Sequence, residues 1–367
     1  MSGYRLPGVY REEVAPGRPA TLPTGVCAFV GAASAGPLYE PGALQRPQEF
    51  AATFGEPVPG SHLAEAVAGF FANGGRRCYA VRADPDASDW LARALRAVEP
   101  LDDADLLAAP DLALAPAHQH APLQRAMIEH CERSGGRLAI LDMPPGATPA
   151  EALARRGLFD SRAGALYYPW IVTAGGRAAP PCGHIAGVYA RLDRESGVFR
   201  APANQELAGV VDLAPPLAPA DEAGLSVAGV NLLRALPGRG IRVWGARTLA
   251  GPRNAGWEQV GVTRLFLTVG RWAELALAGT AFEPNDVGLW VRVRRELSDY
   301  LRELWRGGAL AGSSPEAAFY VKCDAETNPP AVREAGLLVA EVGLAPVTPS
   351  EFVIVRLVRR EGRAALA

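Results

Sequence analysis

The sequence predicts an α/β domain followed by a smaller α+β domain, with an extended arm at each end. Three observations carry this. Up to about residue 200, short apolar runs alternate with amphipathic stretches of helical period, the pattern of a largely parallel sheet covered by helices. Residues 197–220, GVFRAPANQELAGVVDLAPPLAPA, then break the alternation with Pro and small residues. Beyond them two helical stretches, near 259–277 and 287–306, stand among β-forming runs. The chain divides accordingly into an arm at 1–24, an α/β domain at 25–200, a connection at 201–230, an α+β domain at 231–345 and a terminal arm with a strand at 346–367.

The elements follow in order. Residues 1–24 hold Pro7, Pro16, Pro19 and Pro23, which disfavour helix and keep the chain extended. Gly25–Gly31 (GVCAFVG) reads as a buried strand. A helix is expected around Gln48–Phe54, and another over Ser61–Asn73, where Ser61 can cap and Gly74-Gly75 stops it. Arg77–Ala83 alternates as a strand, and Trp90–Val98 is an amphipathic helix with Trp90, Leu91, Leu95 and Val98 inward. Leu106–Ala109, a helix from about Pro122 to Arg133 and the strand Arg137–Met143 continue the alternation. A helix near Pro149–Leu158, a strand Ala165–Thr173 and a helix Gly183–Glu195 complete it, and the connection carries one short strand. In Asn231–Leu249 two apolar runs flank Pro237-Gly238-Arg239-Gly240, where Pro fixes one dihedral and each Gly can take a positive φ. Strands near 241–249, 317–323, 336–342 and 351–358 and helices near 259–277 and 287–306 make up the second domain.

Composition narrows the function. The chain has 367 residues, 49% of them hydrophobic, enough for two or three cores. A net charge of −2 argues against a general nucleic-acid binder. The five Cys (Cys27, Cys78, Cys131, Cys182, Cys323) are scattered, which suits buried thiols in a reducing compartment. Lys322 is the only lysine, a bias we assign to GC-rich coding. Residues 1–20 carry Pro and charge instead of an apolar core, and no run reaches the roughly 20 apolar residues of a membrane span. Folding in the cytoplasm, with no membrane insertion, is expected.

Motifs that would carry chemistry are weak. Gly238-x-Gly240 begins a dinucleotide fingerprint, but its third glycine position, 243, is Val. His118, His120, His130 and Cys131 crowd one region without a second ligand pair; we read them as exposed polar residues beside a core Cys131, and no metal or cofactor is expected. Asp102, Asp103 and Asp105 read as a solvated loop. Ser313-Ser314-Pro315-Glu316 reads as a helix cap rather than a nucleophile.

In helix 287–306, Val287, Trp290, Val291, Arg294, Leu297, Leu301, Leu304 and Trp305 form a stripe at helical spacing, apolar but for Arg294; Arg292, Arg295, Glu296, Asp299, Arg302 and Glu303 form the opposite face. This helix belongs to a longer run of matching segments: LLRALPGRGIRVWGARTL, TRLFL, AFEPND, LWVRVRRELSDYLRELWRGGALAGSSPEAAFYVKCD and GLAPVTPSEFVIVRL, with LPGVYREEV and GVCAFVGAASAGPL near the start. Taken together they resemble the sheath proteins of contractile phage tails and contractile injection systems.

The resemblance implies a short sheath core: a subtilisin-like but non-catalytic α/β sandwich, an α+β domain facing the tube, and extended arms. It implies a structural, non-enzymatic subunit whose hexameric rings stack helically around an inner tube and contract to drive that tube through a target envelope. The implied partners are further copies of the chain, the tube protein, and baseplate and terminal cap proteins, without nucleic acid. Tube contacts are expected at Arg295, Asp299, Arg302 and Arg306. Inter-subunit strand pairing is expected at Phe352, Val353, Ile354, Val355, Arg356 and Leu357, and an arm contact at Pro7, Val9 and Tyr10. EFVIVRLVR is strongly β-forming, and an unpaired edge of that kind invites strand addition. Two alternatives stand beside this reading. One is a sheath paralogue with a specialised place in the stack, since the stretch after Trp257 is shorter and more apolar than the family pattern. The other is a degenerate hydrolase- or protease-like enzyme, which requires His184 or His62 hydrogen-bonded to a Ser and an Asp.

Overall fold

A computed structural model describes residues 22–280, 283–347, 353–360 and 363–366. Six strands enter the main sheet in turn: β1 (Cys27–Gly31), β2 (Pro41–Leu44), β3 (Cys78–Arg82), β4 (Leu106–Ala108), β5 (Leu138–Asp142) and β6 (Gly164–Tyr168). A small sheet follows, from β7 (Trp170–Thr173), β8 (Ala178–Ala179) and β9 (Val210–Ala214). The hairpin β10 (Asn231–Leu236) and β11 (Gly240–Trp244) returns to the main sheet, whose order is β11-β10-β6-β5-β4-β1-β3-β2. The third sheet runs β12 (Phe319–Lys322), β13 (Leu338–Leu344), β14 (Val353–Arg360) and β15 (Arg363–Leu366), antiparallel throughout. The helices are α1 (Gln48–Phe54), α2 (Leu63–Ala72), α3 (Trp90–Val98), α4 (His120–Ser134), α5 (Pro149–Gly157), α6 (Cys182–Ser196), α7 (Pro219–Ala228), α8 (Val260–Ala278), α9 (Val287–Arg306), α10 (Pro315–Ala318) and α11 (Pro330–Glu334).

The main sheet is parallel except at its two edge strands, β2 and β11. Its strands are apolar on both faces because helices cover both. Along β1, Cys27 and Phe29 enter a core shared with α1, α2 and α6, while Ala28 and Val30 enter a second core with α3, α4, α5 and α7. A third core lies between α8, α9 and the terminal sheet. The helix α5 starts with a capping box, Thr148 accepting from Glu151 N while the Glu151 carboxylate accepts from Thr148 N.

Four sequence expectations are corrected. The hairpin at 231–249 was assigned to the second domain; β10 instead lies parallel to β6, with Leu232 and Leu233 buried on opposite faces of the main sheet. Its turn has Gly238 and Gly240 at φ 69° and 73°, so those glycines serve a reversal. The expected single strand 165–173 is two, because Pro169 has no N–H for a ladder and the chain changes sheet there. The connection also holds α7, with Pro219 at its first position and Asp221 and Glu222 in its first turn. His62, not Ser61, holds the cap position of α2, while the Ser61 hydroxyl accepts from Leu63 N at 3.2 Å and donates to Asp111 at 2.7 Å.

Candidate assembly surfaces

The outward face of α9 is built from both ends. Asp286 accepts from Leu289 N at 3.0 Å and caps the helix. Asn285 accepts from Trp290 Nε1 at 2.6 Å and donates to Leu337 O at 2.7 Å, so the Glu283–Asp286 turn locks the helix start onto the terminal sheet. The buried stripe is Leu289, Trp290, Val293, Leu297 and Leu301; Trp272 of α8 stacks on Tyr300 at 4.0 Å. This corrects the expected stripe. Val287 and Val291 are exposed, as is Arg294, while Leu304 and Trp305 are half-buried flanks. The start of the stripe was misplaced because Leu289 and Val293 were passed over in favour of Val287 and Val291, each two residues and so about 200° round the helix from them.

Arg295, Asp299, Arg302 and Arg306 step by four, three and four residues and so share one face. Arg295, Asp299 and Arg306 are exposed and Arg302 is half-exposed. Arg302 donates to Asp299 at 2.6 Å, and Arg292 pairs with Glu283. Such wet pairs contribute only about 0–1 kcal/mol to the fold, so this face is not what holds the domain together.

What joins the two domains lies elsewhere. The expected solvated loop at Asp102–Asp105 is corrected: Asp105 is buried. It accepts from Gly25 N and Val26 N at 3.1 and 2.8 Å, fixing the start of β1. It also accepts from Arg264 of α8 at 2.8 Å. Arg264 grips Asp193 of α6 with two bonds of 2.6 Å, over the Tyr189 ring. Burial works against the charge of Arg264, but Asp193 and Asp105 outweigh it and raise the guanidinium pKa. The signal that could have found this hub was the single arginine inside the apolar run VTRLFLTVG, since a charge in a buried helix face needs partners.

Around the remaining motifs the geometry is structural. Asp111 accepts from Ala32 N at 2.6 Å, from the Ser61 hydroxyl and from the backbone N–H of His62. The His62 and His184 rings have no hydrogen-bond partner at Nδ1, so neither forms the His–Ser–Asp set that an enzyme reading requires. Cys182 is fully buried, and burial followed by the neighbouring Asp142 pushes its thiol far up. The reading of the histidine group is corrected in part: His118 is exposed, but His120 and His130 are buried, bonded to Ala115 O and to Arg137. Among the described residues no group of His, Cys, Asp and Glu could hold a metal ion, and no helix is long and apolar enough to cross a membrane.

Comparison with known proteins finds similarity to sheath proteins. A model of the phage tail sheath protein central domain matches residues 83–249, ending where the main sheet ends. A tail sheath protein of Burkholderia phage BcepMu is 29% identical over 48% of this chain and 41% of its own length. The match thus spans less than half of that curated relative. A chain in the baseplate of the anti-feeding prophage is 29% identical with a TM-score of 0.78, covering 97% of this chain and 99% of the other. A chain in the contracted sheath complex of PVC, an extracellular contractile injection system, is 28% identical with a TM-score of 0.77, covering 96% and 97%.

Residues 83–249 match the phage tail sheath central domain, and the chain is similar over nearly its whole length to chains of contractile sheath assemblies.

In this chain the sequence-expected joints are placed as follows. β14 runs antiparallel along β13, with Val355 opposite Val342 and Arg356 opposite Glu341, and turns back into β15. Val353, Ile354, Val355, Arg356 and Leu357 therefore pair within their own sheet in the isolated chain. Phe352, and Pro7, Val9 and Tyr10 of the arm, lie outside the described residues. The edge of the main sheet at β11 is closed by the chain itself, since Asn204 N donates to Val243 O and Val243 N to Gln205 O.

Proposed function

We propose that this chain is a non-enzymatic structural subunit of a contractile sheath, with hexameric rings stacked helically around an inner tube and contraction driving the tube through a target envelope. The observation that carries this is the likeness over nearly the whole length to a chain of a contracted sheath complex and to one in a baseplate. The subunit would be assembled in the cytoplasm and end in a phage tail or tail-like particle, with its own copies, a tube protein, and baseplate and cap proteins as partners. Arg295, Asp299, Arg302 and Arg306 are the proposed tube contacts. Their face contributes little to the fold, and six copies per ring multiply weak charge contacts.

The pairing of β14 with β13 supplies the second part of the proposal. The same ladder can be completed by the β14 of a neighbouring copy, with main-chain hydrogen bonds for strength and the register set by alternate side chains. Pro346 and Pro349 precede the strand in the sequence. Such a joint could hinge while rigid subunits rotate in contraction. Removing residues 350–367 tests it. A truncated chain that stays folded by circular dichroism yet fails to polymerise supports exchange; one that unfolds outright returns the strand to its own domain.

A further inference from the structure

Five buried side-chain atoms among the described residues lack a hydrogen-bond partner, and three of them, His62 Nδ1, Glu65 Oε2 and His184 Nδ1, belong to the seam between α2 and α6. This seam is tight. A Cβ added to Gly183 would fall 2.2 Å from Ala66 O, and one on Gly187 2.4 Å from Phe70 O. A Cβ on Gly69 would fall 2.4 Å from both Nδ1 and Cε1 of His184. The Nδ1 edge of the His184 ring is thus pressed onto Gly69 with no room for a methyl group or a water. Whichever nitrogen holds the proton of the neutral ring, the doubly protonated ring has an N–H at Nδ1 that faces a C–H instead of an acceptor.

The charged group that acts on this ring is Glu65 of α2; His62 and Arg177, from the turn between β7 and β8, act in turn on Glu65, and Asp142, at the end of β5, feels His62. Glu65 is the natural counter-charge, but Oε1 accepts from Thr173 at 3.1 Å and Oε2 lies 3.8 Å from His62 Nδ1. Asp142 is turned to the start of α6, where it accepts from Cys182 N at 3.0 Å.

We propose that the α2–α6 seam is an acid-sensitive device: a proton taken up by His184 prises α6 from α2, and because α6 carries Asp193, the loosening reaches the Arg264 junction between the two domains. Burial already holds the His184 pKa at about 4, below the ordinary 6.5. The sign follows from linkage. The closed seam binds the proton less well than the open one, so the closing energy is whole above about pH 6.5 and falls as pH drops toward 4. At about pH 5 opening should be favoured roughly twentyfold over its value at neutral pH.

Hydrogen exchange of the full chain, followed by mass spectrometry and corrected for intrinsic rates, reads this directly. Between about pH 7.5 and 5, protection over residues 63–72 and 182–196 should fall by roughly tenfold or more beyond the change in β4 and β5. In His184→Gln the extra loss should vanish, while His130→Gln, at another buried histidine, should keep it. If the wild-type seam loses no more protection than the sheet, the proposal is overturned without any variant. It is equally overturned if His184→Gln loses as much as the wild type.

Discussion

Two arginine-centred regions use the same chemistry to opposite ends. At Arg264, two carboxylates hold a fully enclosed guanidinium at 2.6–2.8 Å, and the start of β1 hangs on one of them. At Arg302, one carboxylate makes an equally short contact at 2.6 Å, but the side chains are 38% and 63% exposed. Distance does not separate the two; water does. Removing one partner from the first leaves an uncompensated buried charge, whereas the second is screened and competes with solvent. The first region is therefore committed to the subunit, and the second is free to be spent on a partner.

The comparison can be broken most severely at the hub. Asp193→Ala should lower unfolding stability by about 3–5 kcal/mol, read by urea denaturation, because Arg264 loses its bidentate partner inside the protein. A loss under about 1 kcal/mol would show that water reaches Arg264. Next comes the tight seam: Gly183→Ala drives a methyl group into the backbone of Ala66 and should cost about 1–3 kcal/mol by the same assay. A smaller effect is expected at His130, where burial first, then Arg137 and Arg133, hold the pKa at about 4. Its contribution is complete above about pH 6.5 and declines as pH falls toward 4, so His130→Gln should flatten the acid limb of a stability–pH curve. An unchanged limb would remove His130 from the acid response. The smallest effect belongs to α9: Asp299→Ala should change monomer stability by no more than about 0.5 kcal/mol.

The contrast also explains what the sequence could and could not reveal. The alternation of buried strands and amphipathic helices, the long α9 and its charged face were legible, because each is a local period. The placement of β10 and β11 was not: a hairpin with a Pro-Gly corner looks the same whichever sheet receives it, and only the long-range pairing of Asn231 and Leu232 with Tyr167 and Tyr168 decides. Asp105 was misread for a related reason. Beside Asp102 and Asp103 it resembles a solvated run, and its burial depends on Arg264, 159 residues away. The family segments pointed to the sheath core, but a resemblance does not say which acid turns inward.

The proposed tube contact of the charged α9 face can be tested together with the hub that keeps the subunit whole. Cryo-electron microscopy of the chain co-expressed with its cognate tube protein tests both at once, with an Arg295→Glu/Arg302→Glu variant beside the wild type. The account predicts helical cylinders whose inner wall carries Arg295, Asp299, Arg302 and Arg306, and a variant that remains folded but no longer co-assembles with the tube. Cylinders with α9 on the outer wall, or a variant that grips the tube as the wild type does, would contradict it.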